Sequence, residues 1–417
     1  MDASIIKDIR CRTIFDSRGV ETIEVDVVTA NSFGRAAAPF GAPGSRGEFE
    51  AQAYSPLGLQ HSVKILTSEI KPALIGKDAS NLAEIDGLIK KIDGSANYGN
   101  IGGNTSVVVS TAAAKAAANS RHIPLFRLLS PNAKTLPLPL GNIIGGGAHS
   151  IGPSPDMQEH LVVPIGAKTI RQAVELNLEV HQTVETLLEA KYPTFVGGTD
   201  DENAWAADLD DRTAFEILEQ ACRQIEDQHG LEIRMGLDLA ADRLWDRANN
   251  RYHYHREGAS RTTGQQIDYL AGLIDRFRLY YAEDCFHSND YESFAKLKKI
   301  AGQKCLICAD DIFATNVERT LRGVQADAAN AMIIKPNQVG TISEAMQTNS
   351  VAQRNGIRTI LSHRSGETID DSIAHIAVAF GAVMIKTGVA GGERLAKLNE
   401  LIRLEEAFPE LRLSPVG

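Results

Sequence analysis

From about residue 230 onward the chain repeats one pattern: a short apolar run, one polar residue, then a longer amphipathic stretch. The runs end at RMGLD (Asp238), LYYAE (Glu283), LICAD (Asp310), MIIK (Lys335), TILSH (His363) and VMIK (Lys386). A run that is apolar at every position predicts a strand buried on both faces. Stretches such as QQIDYLAGLIDRF and ETIDDSIAHIAVAF predict amphipathic helices between them. The six ends lie 45, 27, 25, 28 and 23 residues apart, and all but the first interval fit one strand-plus-helix unit. Successive parallel strands with covering helices predict an α/β fold, a (β/α)8 barrel over residues 131–417, with its site at the carboxyl ends of the strands. An open doubly wound sheet is the alternative, since it too places ligands at strand ends. The chain has no GxGxxG after a first strand and no P-loop, so the barrel is preferred. Lysine is rarely buried without a partner. Lys335 therefore ends AMII because that run opens into the site.

Residues 1–130 are patterned differently. FDSRGVETIEVDVVTA alternates as a strand does, APFGAPGSRGEFEA is a Gly/Pro-rich loop, and the Ala-rich stretch 110–129 is a strong helix former. That predicts a separate α+β capping domain, with the proline-bearing SPNAKTLPLPLG (130–141) as the boundary.

Composition narrows the function. With 43% hydrophobic and 23% charged residues the chain is an ordinary globular one. Its net charge of -10 and pI near 5.6 argue against nucleic acid or an anionic membrane as partner. Any anionic substrate must be held by local positive charge. The apolar runs are too short to span a bilayer and the amino terminus lacks a signal-peptide core, so a cytoplasmic location is expected. Five scattered cysteines fit a reducing compartment, and Cys305 and Cys308, three apart in a strand, read as packing residues rather than as a metal or redox pair.

The strand ends supply the candidate chemistry. Asp238, Glu283 and Asp310 are three hard-oxygen donors, which suit Mg²⁺, although each alone could be an ordinary helix cap. Lys335 and Lys386 fall near the same point; a lysine desolvated beside a cation has a lowered pKa and can act as a base. Arg364 suits bidentate capture of phosphate or carboxylate, and Ser365 adds a hydroxyl. His253 and His255 in RYHYHREG share a strand face, but no third ligand is near, so a hairpin is the expectation. Trp205 in DDENAW is either a lid residue over substrate or a hydrophobic anchor.

These motifs, with FDSRG, AAAKAAA, MQEHLVVP, MGLDLA, EDCF, ADDIFATN, IIKPNQVGTISEA, SHRSGET, IKTG and ERLAKLNELIRLEE, resemble the enolase family over nearly the whole length. The resemblance implies an enolase-type barrel and a dehydratase that removes a proton alpha to a carboxylate and expels a β-hydroxyl, with two Mg²⁺ per site. Carried over by motif, it implies Lys335 as base and Glu202 as the acid, with Glu159 beside it. It implies Asp238, Glu283 and Asp310 as ligands of the first metal, and Arg364 and Ser365 as holders of the phosphate. Lys386 and His149 would contact substrate, and His363 would line the site. A homodimer or larger homo-oligomer is implied as well, with Arg18 of FDSRG in the contacting stretch.

Departures from the family pattern cluster at the mouth of the site. FGAPGSRGEFEA replaces a loop whose serine reaches the second metal; Ser45 is the candidate substitute, flanked by Pro43 and Arg46. GGGAHSIGPS, DDENAWAAD and KTGVAGGER also differ, the second by losing two glycines and the third by losing an arginine. Two enzymatic readings follow: conversion of 2-phosphoglycerate to phosphoenolpyruvate, or a related dehydration of a phospho- or phosphono-carboxylate, as in carboxyphosphonoenolpyruvate synthase. A non-catalytic binding protein is the third. It predicts decay of the ionisable set, which the sequence does not show.

Overall fold

The computed structural model describes residues 3–41 and 49–415. Strands β1 (Asp8–Phe15), β2 (Glu21–Val28) and β3 (Phe33–Ala37) form an antiparallel sheet in that order. Helix α1 (Gly103–Ser120) packs on it, and its small side chains allow backbone-level contact. A Cβ on Gly34 would lie 2.2 Å from backbone atoms of Ala112 and Ala116. The stretch read as one helix over 110–129 is two. α1 ends at Ser120, and Pro124, which has no N–H to donate, stands before a second short helix at Leu125–Leu129. A separate hydrophobic core (Ile6, Val25, Leu74, Ile85, Val109) belongs to this domain.

The barrel has eight strands: β4 (Leu138–Gly145), β5 (Glu159–Val163), β6 (Arg234–Asp238), β7 (Tyr281–Glu283), β8 (Leu306–Ala309), β9 (Ala331–Ile334), β10 (Arg358–Ser362) and β11 (Met384–Lys386). They pair in sequence order, and β11 closes on β4. The expectation of uniformly parallel strands fails at one place. β5 runs antiparallel to both β4 and β6. Only thirteen residues (146–158) separate β4 from β5, and they form turns rather than a crossover helix, so β5 can only run back. Two helices then follow in succession, α2 (Ile170–Lys191) and α3 (Asp211–His229), before β6 resumes the parallel run. Because β5 is reversed, its first residue, Glu159, stands at the same barrel end as the last residues of its neighbours, paired with Gly145 and Asp238.

The capping domain meets that same end. Phe40 exchanges backbone hydrogen bonds with Gly366 (2.7 and 2.8 Å), Asn337 bonds Asn104 (3.1 Å), and Ala51 N–H donates to the Gln338 carbonyl (2.8 Å). The predicted hairpin is present, with Arg251–Tyr254 antiparallel to Ala259–Thr262; His255 lies in its turn, and His253 faces Asp246. Cys305 and Cys308 are free and buried in the barrel core. No helix among the described residues is long and apolar enough to cross a membrane.

Candidate active site

Strand order distributes the chemistry around a ring. Asp238, Glu283 and Asp310 terminate or follow the third, fourth and fifth strands; Lys335, the His363–Ser365 segment and Lys386 terminate or follow the sixth, seventh and eighth. Glu159 opens the second strand, and His149 and Glu202 come from the loops beyond the first two. They surround a cavity of about 140 Å³. Every site residue named from the sequence lines it except two. Glu283 reaches it through Lys386, and Ser45, with Pro43 and Arg46, lies outside the described residues.

Lys386 extends across the barrel mouth. Its Nζ lies 2.8 Å from Glu283, 2.9 Å from Asp238 and 3.1 Å from Glu159. Burial alone would lower its pKa, but these carboxylates hold it well above the usual lysine value. Lys335 Nζ donates to Asp310. Burial and Arg364 push Lys335 down, but Asp310 outweighs them and raises it. Lys386 Nζ bonds two of the three candidate metal ligands, Asp238 and Glu283. Among the described residues the tight acidic group is Asp284–Asp310–Asp311, with donor atoms all within 4.8 Å of one another. Asp284 accepts from the backbone N–H of Asp310 (2.9 Å) and Asp311 (3.0 Å). A divalent cation fits the acidic ring made by Asp238, Glu283 and Asp310 together with Asp284 and Asp311. The donors are carboxylates alone, Glu283 Oε1 is buried without a hydrogen bond, and two ammonium groups now offset the charge.

Opposite Lys335 sit His149, Glu159 and Glu202, whose donor atoms also lie within 4.8 Å of one another. His149 Nδ1 is 2.6 Å from Asp201. Burial would lower this imidazole, but Glu202, Asp201 and Glu159 raise it to about 10. Burial, reinforced by Glu202 and Asp238, holds Glu159 well above the carboxylate range despite Lys386. Burial alone would raise Glu202 too, but His363, His149 and Arg394 draw it well below. His363 is pushed down to about 4 by burial. Its Nδ1 takes a hydrogen bond from Arg394 (2.8 Å), so the ring proton sits on Nε2, 3.3 Å from Glu202.

Arg394 is fully buried and also donates to the carbonyls of Arg364 (2.8 Å), Ser365 (2.6 Å) and Asp201 (3.0 Å). It fixes the segment carrying Arg364 and Ser365 to the DDENAW loop. That loop lacks glycines but is pinned by side chains. Asp200 Oδ1 accepts from the N–H groups of Glu202 (2.8 Å) and Ala204 (2.9 Å). Asn203 takes the left-handed conformation (φ 65°) and donates to Glu393 (2.8 Å). Trp205 is the anchor and not a cover over substrate: it is buried, stacks on His181 at 4.5 Å, and donates to the His181 carbonyl. Arg18 is half-buried beside this assembly, donating to the carbonyls of Phe40 and Gly41 and lying 3.8 Å from Asp201.

Sequence reasoning missed Asp284, Asp311, Gln158 and Arg394. The acidic doublets in EDCF and ADDIF were visible, but period-2 alternation points the second acid of a doublet away from the first. The turns that return both to the cavity could not be read in advance. Arg394 lay in a quoted motif, yet a lone arginine at a helix start usually reads as surface.

The amino-terminal part, residues 6–129, matches the family model described as "Enolase, N-terminal domain", and residues 133–412 match "Enolase, C-terminal TIM barrel domain". The chain is 48% identical over 412 residues to the enolase of Methanothermobacter thermautotrophicus, covering 99% of each. It is 47% identical over 404 residues to that of Methanosphaera stadtmanae (97% of each), and 44% identical over 410 residues to that of Archaeoglobus fulgidus (98% of this chain, 99% of the relative).

Proposed function

From the premise that this chain belongs to the enolase family, we propose the following working of its site. The enzyme is a hydro-lyase that interconverts 2-phosphoglycerate with phosphoenolpyruvate and water. The observation that carries the residue assignment is positional: in an eight-stranded barrel the second and sixth strands are diametrically opposed, so Glu159 and Lys335 face each other across the cavity. Lys335 takes the proton alpha to the substrate carboxylate from one side. Glu159 and Glu202, with His149 between them, supply the proton that leaves with the β-hydroxyl on the other. Burial raises the Glu159 carboxyl while His363, His149 and Arg394 lower that of Glu202, so the two acids are held on opposite sides of the ordinary carboxylate range.

Arg364, with the Ser365 hydroxyl, takes the phosphate, and Lys386 balances the negative charge that builds up on the carboxylate as the alpha proton departs. Asp238, Glu283 and Asp310, together with Ser45, would hold two Mg²⁺ per site, and the ions would supply positive charge to the substrate carboxylate. Arg394 keeps His363 neutral and aimed at Glu202. The relatives aligned over nearly their whole length are enolases, so the phosphonate alternative is not favoured. A homo-oligomer and a cytoplasmic location complete the reading.

The test is the absorbance of phosphoenolpyruvate formed from 2-phosphoglycerate. Turnover of ~1–1000 per second that disappears with EDTA is expected. No turnover, in protein whose unfolding temperature still rises with Mg²⁺, would reject 2-phosphoglycerate as substrate.

A further inference from the structure

Arg364 lines the cavity, yet one of its terminal nitrogens is already occupied. Nη1 donates to Glu50 Oε2 (3.1 Å) and to Asn337 Oδ1 (3.2 Å). Glu50 comes from the capping domain, is buried, and does not line the cavity. Its other oxygen accepts from Gln338 Nε2 (3.0 Å), and that same amide nitrogen lies 3.2 Å from Asp310 Oδ1. Gln338 cannot easily turn over, because its own oxygen accepts from the Thr315 hydroxyl at 2.5 Å. Both carboxylate oxygens of Glu50 are thus fixed, and the carboxylate is held behind the guanidinium. A guanidinium is a rigid plane of five donors. With Nη1 held from behind, Nε and Nη2, which have no protein partner among the described residues, are the edge left for a ligand.

We propose that Glu50 is a positioning residue for the substrate phosphate: a resident anion that orients Arg364 by one edge and moderates how tightly the other edge grips a phosphorus oxyanion. The proposal rests on the phosphate reading of Arg364 given above. A phosphate on the open edge shares its cation with a carboxylate on the far edge, and two anions on one guanidinium repel through a partly desolvated medium. The arrangement trades affinity for orientation. Arg364 arrives at the cavity aimed and partly neutralised, so a phosphorylated product can leave.

The experiment uses the full-length, Mg²⁺-loaded protein with inorganic phosphate as probe, measured by calorimetry, beside KM and kcat for 2-phosphoglycerate. Glu50→Gln removes the charge and keeps the shape; phosphate binding tightens about tenfold, KM falls with it, and kcat falls as product is retained. Glu50→Asp withdraws the carboxylate by one methylene, and binding tightens about threefold, so the idea stays testable if the Gln variant does not fold. A residue that serves only the fold would weaken phosphate binding in both variants. Unchanged or weaker binding in either folded variant overturns the proposal. Arg364→Ala separates the two readings. If it leaves phosphate affinity untouched, the phosphate assignment of Arg364 fails, whatever Glu50 does. Wild-type turnover tests the substrate independently.

Discussion

Replacing Lys386 with methionine keeps the length and apolar stem of the side chain and removes its charge. Three buried carboxylates, at 2.8, 2.9 and 3.1 Å, then lose their shared partner. At an effective dielectric of ~20, each such contact is worth roughly 6 kcal/mol of Coulomb attraction. Most of that is offset by the cost of burying the ammonium in the first place and by proton uptake on the acids. Removing one member of a buried ionic group costs ~3–5 kcal/mol net, and that is the loss expected in EDTA. Mg²⁺ should reverse part of it. In the wild type the cation must displace Nζ from Asp238 and Glu283, and in the variant it need not. A ligand 100-fold above its Kd contributes ~2.7 kcal/mol, and each tenfold gain in affinity adds ~1.4 kcal/mol. The loss in saturating Mg²⁺ should therefore be smaller than in EDTA by at least ~1.4 kcal/mol. Urea unfolding followed by the fluorescence of Trp205 and Trp245 in both conditions measures this. An equal loss with and without Mg²⁺ would mean that Nζ does not occupy the cation's position.

Lys335→Ala should abolish exchange of the substrate alpha proton with solvent while Mg²⁺ still binds; retained exchange in ²H₂O removes Lys335 from the base role. His160, fully buried and held down to about 4 by burial, resists a proton that the unfolded chain accepts near pH 6.5. Its folded pKa is depressed, so stability falls as pH drops from ~6.5 toward 4, by about 2 kcal/mol at pH 5. His160→Phe should flatten that slope in urea melts at pH 7 and pH 5, and an unchanged slope would place the acid sensitivity elsewhere. Gly34→Ala must part β3 from the α1 backbone and should cost ~3 kcal/mol or more, read as a lowered unfolding midpoint.

Much of this arrangement was legible because each parallel strand reports its own end. AMII and LICA are buried at every position, and Lys335 and Asp310, which stop these two runs, face the cavity for the same reason that the runs stop there. What the runs could not show was direction. EHLVV is as uniformly buried as the others, and an antiparallel strand in a closed barrel carries the same apolar signature as a parallel one. The reversal follows from the short connection 146–158, which holds glycines, serines and prolines and leaves no room for a crossover helix. The partner of Lys335 was hidden for a related reason. Sequence places a lysine near an arginine and an aspartate without saying which is nearer, and the hydrogen bond to Asp310 decides it. In the lid, the loss of glycine suggested stiffness, but the means was invisible: Asn203 in a left-handed turn bonded to Glu393, almost two hundred positions away.

The reversed strand also bears on how one end of the barrel holds both kinds of charge. Carboxylates occupy strands three to five and cations strands six to eight; Lys335 pairs with Asp310 on the neighbouring strand, while Lys386 on the eighth strand reaches across the ring to Glu283 on the fourth. Long reaches of this kind are held by Coulomb attraction rather than by neighbouring packing, and a more strongly charged cation can outcompete them. On a parallel second strand, Glu159 would begin at the far end of the barrel and could not face Lys335. Inverting that strand brings a carboxyl to the position opposite the base without altering the six units that follow. The lid loops can therefore diverge, as GGGAHSIGPS and DDENAWAAD have, while the ring beneath them keeps its charges in place.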